Sequence, residues 1–174
     1  MGDLELALII IACILGSWLI FVIIGYVMII ICNKRIRNKS RTINILTAQK
    51  LDCISALCNM IVDNKGDVPD YIEDTLSSFS KDGLKKIDTK ERANIKDFLT
   101  NTMNELYDIY ENLQVLERRS FDNLKASVDE IDTLYRKQVI LYNTDVDAYN
   151  YWIRFIPVRL FNKIFKVKKK EKII

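Results

Sequence analysis

The 174-residue chain contains no histidine. That removes imidazole as a general acid or base, as the partner of a Ser or Cys nucleophile, and as a metal ligand. Glycine and proline are scarce, at 5 and 2. A turn-rich β-sandwich or barrel is thereby excluded, as is a Gly-rich phosphate-binding loop. The four cysteines pair poorly. Cys13 and Cys32 belong to one apolar run. Cys53 and Cys58 stand five apart on an expected helix, where about 500° of rotation makes their side chains diverge. They read as buried free thiols rather than a zinc site or a disulfide. What remains is an all-α chain with no expected cofactor or metal.

Charge of one sign is missing from long stretches. The net charge is +3, but residues 1–32 carry −2, residues 33–41 carry +5, residues 42–150 carry −7 and residues 151–174 carry +7. An acidic middle between basic edges lacks the broad cationic face that a nucleic acid requires, so none is expected as a partner. It suits contact with an anionic lipid surface at both edges.

From Leu6 to Cys32 run 27 uncharged residues, interrupted mildly by Gly16, Ser17 and Gly25. As a helix this reaches about 40 Å, ample for a hydrocarbon core of about 30 Å. A buried core helix rarely needs so long a run. A cleaved signal peptide would have a basic start and a shorter apolar segment. Asp3 and Glu5 precede the run, while Lys34, Arg35, Arg37, Lys39 and Arg41 follow it. Positive flanks stay in the cytoplasm, so the reading is a single-pass cell-membrane protein with its N-terminus outside. Trp18 lies mid-span, and Gly16 and Gly25 form no small-xxx-small dimer motif.

Beyond the span, apolar residues recur at helical spacing. Ile43, Leu46, Leu51, Ile54, Leu57, Cys58 and Ile61 continue the membrane helix to Asn64-Lys65-Gly66-Asp67, with Gly66 as the expected left-handed cap. A short second helix opens at Pro69, carries Ile72, Leu76 and Phe79, and stops near Asp82-Gly83. A third opens with the capping box Asp88-x-x-Glu91 and carries Ile95, Leu99, Met103, Leu106, Tyr110 and Leu113. A pause at Leu116–Ser120 precedes the longest stripe: Phe121, Leu124, Val128, Ile131, Tyr135, Tyr142, Val146, Tyr149, Ile153 and Ile156, with Gln138 in one position. Short loops suit an up-down-up-down antiparallel four-helix bundle, so helix four returns to the bilayer that helix one left. The expected division is 1–32 for the extracytoplasmic N-terminus and span, 33–156 for the cytoplasmic bundle, and 157–174 for a basic aromatic tail broken by Pro157. The expected lipid-contacting residues are Lys34, Arg35 and Arg37 on the flank, and Trp152, Phe161, Lys163, Phe165, Lys166, Lys168, Lys169 and Lys170 toward the tail. Trp152 lies at its approach.

The last helix resembles that of the LemA family of bacterial membrane-anchored helical proteins. The family pattern of an E-x-x-x-x-x-R, then two Y-N pairs, then F-P is matched by Glu130, Arg136, Tyr142-Asn143, Tyr149-Asn150 and Pro157, with Ile156 in place of Phe. Upstream, Ile43-Asn44-Ile45 and Asp52-Cys53-Ile54-Ser55-x-Leu57 resemble the family's I-D-V and D-L-I-P-x-L. Its basic triplet is reduced to Ala48-Gln49-Lys50, its Pro is replaced by Ser55, and the second helix lacks its Ala-Arg ending. The resemblance makes this a divergent member. It implies the same anchor and bundle, membrane-associated organisation as in related proteins of magnetosome membranes, and no catalytic residues.

The function expected is that of a non-enzymatic scaffold or interaction module at the inner membrane face, with the lipid bilayer and an unidentified protein as partners and self-association as an option. The alternative is an oligomeric, pore-forming or regulatory membrane component. The span has no charge to line a water path. A carboxylate enzyme is a poorer reading, because Asp129, Glu130 and Asp132 spread over about 300° of helix.

Overall fold

The computed structural model describes residues 2–78, 89–113, 118–155 and 168–173. Among these are four helices and no strand: α1 (Asp3–Asp63), α2 (Asp70–Ser78), α3 (Thr89–Asn112) and α4 (Arg119–Arg154). The all-helical class and the helix order match the sequence expectation. Phe79, Asp82-Gly83, the capping residue Asp88, Ile156 and Pro157 lie outside the described residues.

α1 is one helix of 61 residues. No proline interrupts it, and two of its hydroxyls bond back within the helix. Ser17 Oγ donates to the Ile14 carbonyl at 2.9 Å, and Thr47 Oγ1 to the Ile43 carbonyl at 2.9 Å. A serine can therefore sit in the apolar run without an orphaned donor. An 18-residue window reaches a mean hydropathy of 3.0 with none of it buried. Among the described residues this is the one helix long and apolar enough to cross a membrane, and it lies near the N-terminus.

Burial along α1 begins at Gly25 and thereafter includes a series seven residues apart, at Ile29, Ile36, Ile43, Lys50 and Leu57. α4 carries the same period in Phe121, Val128, Tyr135, Tyr142 and Tyr149. A seven-residue repeat keeps one seam of a helix facing its neighbours, as long as the helix is slightly underwound.

The chain divides into two compact units, Met1–Asn38 with Tyr142–Glu171 and Lys39–Leu141 with Lys172–Ile174. The first buries Ile29, Cys32 and Ile36 of α1 and Tyr142, Val146, Tyr149 and Ile153 of α4. The second holds the larger core. There Leu51, Ile54, Leu57, Cys58 and Ile61 of α1 share one cluster with Ile72 of α2, Ile95 to Tyr110 of α3, and Phe121 and Val128 of α4. Arg92 reaches Ser40 and Lys50 reaches Thr100, so α1 and α3 run in the same sense within this unit. Tyr110 stacks on Phe121 with centroids 4.3 Å apart, and Lys50 reaches Asp132, so α4 runs the opposite way.

The end of α1 corrects one expectation. The left-handed residue is Lys65, with φ 62°, and no glycine has positive φ among the described residues. Lys65 N–H donates to the Val62 carbonyl at 2.9 Å and Gly66 N–H to the Ile61 carbonyl at 2.9 Å. This pair of bonds is the Schellman arrangement, placing Gly66 one step beyond the cap. Glycine is required there for space. A Cβ on Gly66 would lie 2.7 Å from Leu113 Cδ1 and 2.8 Å from Ile61 Cγ2. Ile61 is β-branched and fully buried, so it yields poorly.

Two opposite outcomes follow. Gly66→Ala overpacks the α1–α3 contact and lowers the unfolding free energy by about 1–2 kcal/mol. Lys65→Gly relieves the left-handed strain and raises it by up to about 1 kcal/mol. Denaturation of the full chain in detergent, followed by circular dichroism, measures both.

Candidate functional site

Two polar constellations stand out, one in each unit. The first gathers around the Tyr-Asn repeat of α4. Tyr142 and Tyr149 are buried by the seven-residue period, which leaves Asn143 and Asn150 half-buried beside them. Asn150 acts as a backbone mimic. Its Nδ2 donates to the Lys170 carbonyl at 2.9 Å, and its Oδ1 accepts from the Lys170 N–H at 3.1 Å. The Tyr149 hydroxyl donates to the Lys168 carbonyl at 3.4 Å and that of Tyr142 to the Glu171 carbonyl at 3.5 Å. Residues 168–171 thus lie along α4 in the opposite sense, held by side chains of the Tyr-Asn pairs.

The Lys170 ammonium is turned onto the Tyr149 ring, 5.1 Å from its centroid, and donates to the Asn33 side-chain oxygen. Burial and the neighbouring Arg37 charge both hold Lys170 below its ordinary pKa. Burial alone raises the Tyr149 phenol. Lys34, Arg35 and Arg37 are exposed on α1, and Lys168 and Lys169 are exposed beside them in the same unit. Trp152 is half-buried, edge-on to Tyr151 and to Phe155 with centroids 5.6 Å apart in each case. Phe161, Lys163, Phe165, Lys166 and Pro157 lie outside the described residues. The exposed Arg136 belongs to the second unit, where with Tyr135, Val139 and Lys96 it borders an apolar hollow that receives the buried Ile173.

The second constellation is centred on Lys50, which is 5% exposed. Its Nζ donates to both carboxylate oxygens of Asp132, at 2.7 and 2.9 Å, and to Thr100 Oγ1 at 3.2 Å. Three donors meet three acceptors from two other helices, so the charge is neutralised where it is buried. Residue-by-residue reading missed this pair, which is 82 positions apart. The signal was present: Lys50 sits four residues after Leu46 and four before Ile54, on the apolar stripe itself. Of the acidic trio, Asp129 and Glu130 are exposed while Asp132 turns to Lys50.

Nearby, burial and then the Asp129 charge push the Tyr107 phenol up to about 12. Its hydroxyl, Arg92 Nε and Gln138 Oε1 are buried without a hydrogen-bond partner among the described residues. Burial also raises the Tyr135 phenol, against the opposing Arg92 charge. Among the described residues, no three Asp, Glu or Cys side chains converge as a metal-binding group would require.

Each constellation has its own test. Asp132→Ala strands a buried ammonium and lowers the unfolding free energy by about 3 kcal/mol, whereas Lys50→Met with Asp132→Leu returns close to the parent value. Chemical denaturation of the parent and the two variants measures both changes. Asn150→Ala removes both bonds to Lys170, so the Lys170 amide exchanges with deuterium at least about tenfold faster while the α4 amides hold. Hydrogen-exchange mass spectrometry reads that difference.

No protein-family model matches the chain, and no curated protein or solved structure shows significant similarity to it.

Proposed function

We propose that this chain is a single-pass membrane protein whose polar helices form a non-enzymatic scaffold at the cytoplasmic face. One observation carries the reading. α1 passes without a break from residues 5–24, none of which is buried, to a segment buried in a polar-faced helical core. Residues 6–24, which precede the first buried position, measure about 28 Å as a helix, close to the thickness of a hydrocarbon core. Sixteen large apolar side chains between Leu6 and Ile31 stay exposed, far more than a water-facing helix tolerates.

The helix senses within the second unit support an up-down-up-down four-helix bundle. α1 and α3 ascend together, α4 descends, and the 9-residue α2 lies on the connection that must bring the chain back down. The likeness of residues 130–157 to the LemA pattern supports the same reading, because Tyr142, Tyr149 and Asn150 act together on residues 168–171. For lipid contact, the support is the gathering of Lys34, Arg35, Arg37, Lys168 and Lys169 in one unit, where the apolar run of α1 ends. Each basic group near an anionic surface contributes about 1 kcal/mol. Basic residues on that side support a cytoplasmic location for it, since positive flanks are retained there.

Carbonate extraction of membranes tests the anchor: the chain remains in the pellet after high-pH and high-salt washes. Release into the supernatant overturns the spanning assignment. Orientation is read with a membrane-impermeant maleimide on intact cells. It labels Gly2→Cys and spares Lys168→Cys; the reverse pattern inverts the topology.

A further inference from the structure

Residues 168–171 form a strap along α4, and the clasp that holds it recognises main chain. Its four hydrogen bonds go to the carbonyls of Lys168, Lys170 and Glu171 and to the N–H of Lys170. The side chains of Lys168 and Lys169 take no part and stay exposed. Only Lys170 is held by its side chain, through Asn33 and the Tyr149 ring. The hydrogen bonding of the strap thus gives no reason for lysine at 168 and 169.

Docking also works against charge. It brings three lysines to a helix flank that carries Arg37, one turn after Asn33. Burial and then the Arg37 charge hold the Lys170 ammonium below its ordinary pKa, so the two cations repel across this contact. Around α1, Arg37 lies about 40° from Asn33 and Lys34 about 100°, whereas Arg35 lies about 200° away. Lys34, Arg37, Lys168 and Lys169 form no ion pair among the described residues. Glu171, the one acid of the strap, is exposed.

We infer that the docked strap and the Arg37 side of α1 together form a site for the phosphate of an anionic phospholipid headgroup. The anion offsets the repulsion that the clasp creates, so headgroup binding and strap docking stabilise each other. The choice of occupant rests on the membrane reading. The uncharged run stops at Cys32, one residue before Asn33, where headgroups meet a spanning helix. Lysine and arginine both suit phosphate, one as a point charge and the other as a fork. A tail that met lipid merely as a loose basic segment would leave the clasp when anionic lipid is present. The two arrangements differ in sign.

Hydrogen exchange at the Lys170 amide, whose bond to Asn150 breaks when the strap lifts, measures that sign. The full chain is taken in detergent micelles mixed with phosphatidylcholine or with phosphatidylglycerol. Phosphatidylglycerol slows the exchange at least about threefold relative to phosphatidylcholine, and salt at about 0.5 M removes the difference. Unchanged or faster exchange overturns the proposal. Arg37→Gln slows the exchange already in phosphatidylcholine, by removing the repulsion, and phosphatidylglycerol then adds little. Arg35→Gln removes the same charge from the far side of the helix and behaves as the parent. Equal behaviour of these two variants overturns a discrete site. Inorganic phosphate or an acidic peptide that protects as well as phosphatidylglycerol overturns lipid as the occupant. The micelle readout is independent of spanning. Release by carbonate with protection retained removes the anchor alone, and retention without protection removes this site alone.

Discussion

A helix that passes from one solvent to another keeps its backbone satisfied in both, because every amide is bonded to the turn before it. What changes along α1 is which side chains need cover. In residues 6–24 none is buried, and from Gly25 onward a narrow stripe is. This single unbroken backbone is the constraint on which the rest depends. It fixes the angular phase at which Ile29, Ile36, Ile43, Lys50 and Leu57 emerge. The neighbouring helices must present their own stripes to that phase. α4 meets the condition with a matching period of seven, using tyrosine where α1 uses isoleucine.

Two polar residues lie within these seams, and they behave differently. Lys50 occupies a buried stripe position, neutralised by Asp132 and hydrogen-bonded to Thr100. A charged residue at one such position costs stability in isolation, but it rejects every register that would separate it from its partner. Gln138 is half-buried, with an oxygen that finds no partner among the described residues, and so carries no such registering bond through that atom. Where the end of α3 meets the start of α4, aromatic packing takes over the same role. Phe121 stacks on Tyr110 and meets Tyr107 edge-on, with the Lys125 ammonium above both Tyr107 and Phe121.

Much of the architecture was legible in residue pattern because helix burial is periodic. Of the stripe expected on α1, all seven residues from Ile43 to Ile61 are buried. On α4 the buried positions from Phe121 to Ile153 coincide with the apolar steps. Pattern fails where a property depends on space rather than phase. Gly66 looked like a conformational glycine, yet its neighbour Lys65 takes the left-handed backbone, and Leu113, distant in sequence, removes the room for a side chain at Gly66. Likewise the Tyr-Asn pairs were readable as a repeated face. That Asn150 would copy a backbone pair to hold Lys170 depends on a return of the chain that no local periodicity encodes. Of the candidate lipid-facing residues, composition marked the lysines as a class. Only the folded unit separates the outward Lys168 and Lys169 from the inward Lys170.

The matched seven-residue spacing also governs how this architecture can change length. One inserted residue in α1 between Ile36 and Ile43 rotates everything beyond it by about 100°, sending the downstream stripe toward solvent. Seven inserted residues leave the stripe within about 20° of its former direction. Evolutionary lengthening or shortening of such a rod is therefore quantised: whole heptads are admissible, while single-residue indels are absorbed in the connections between helices.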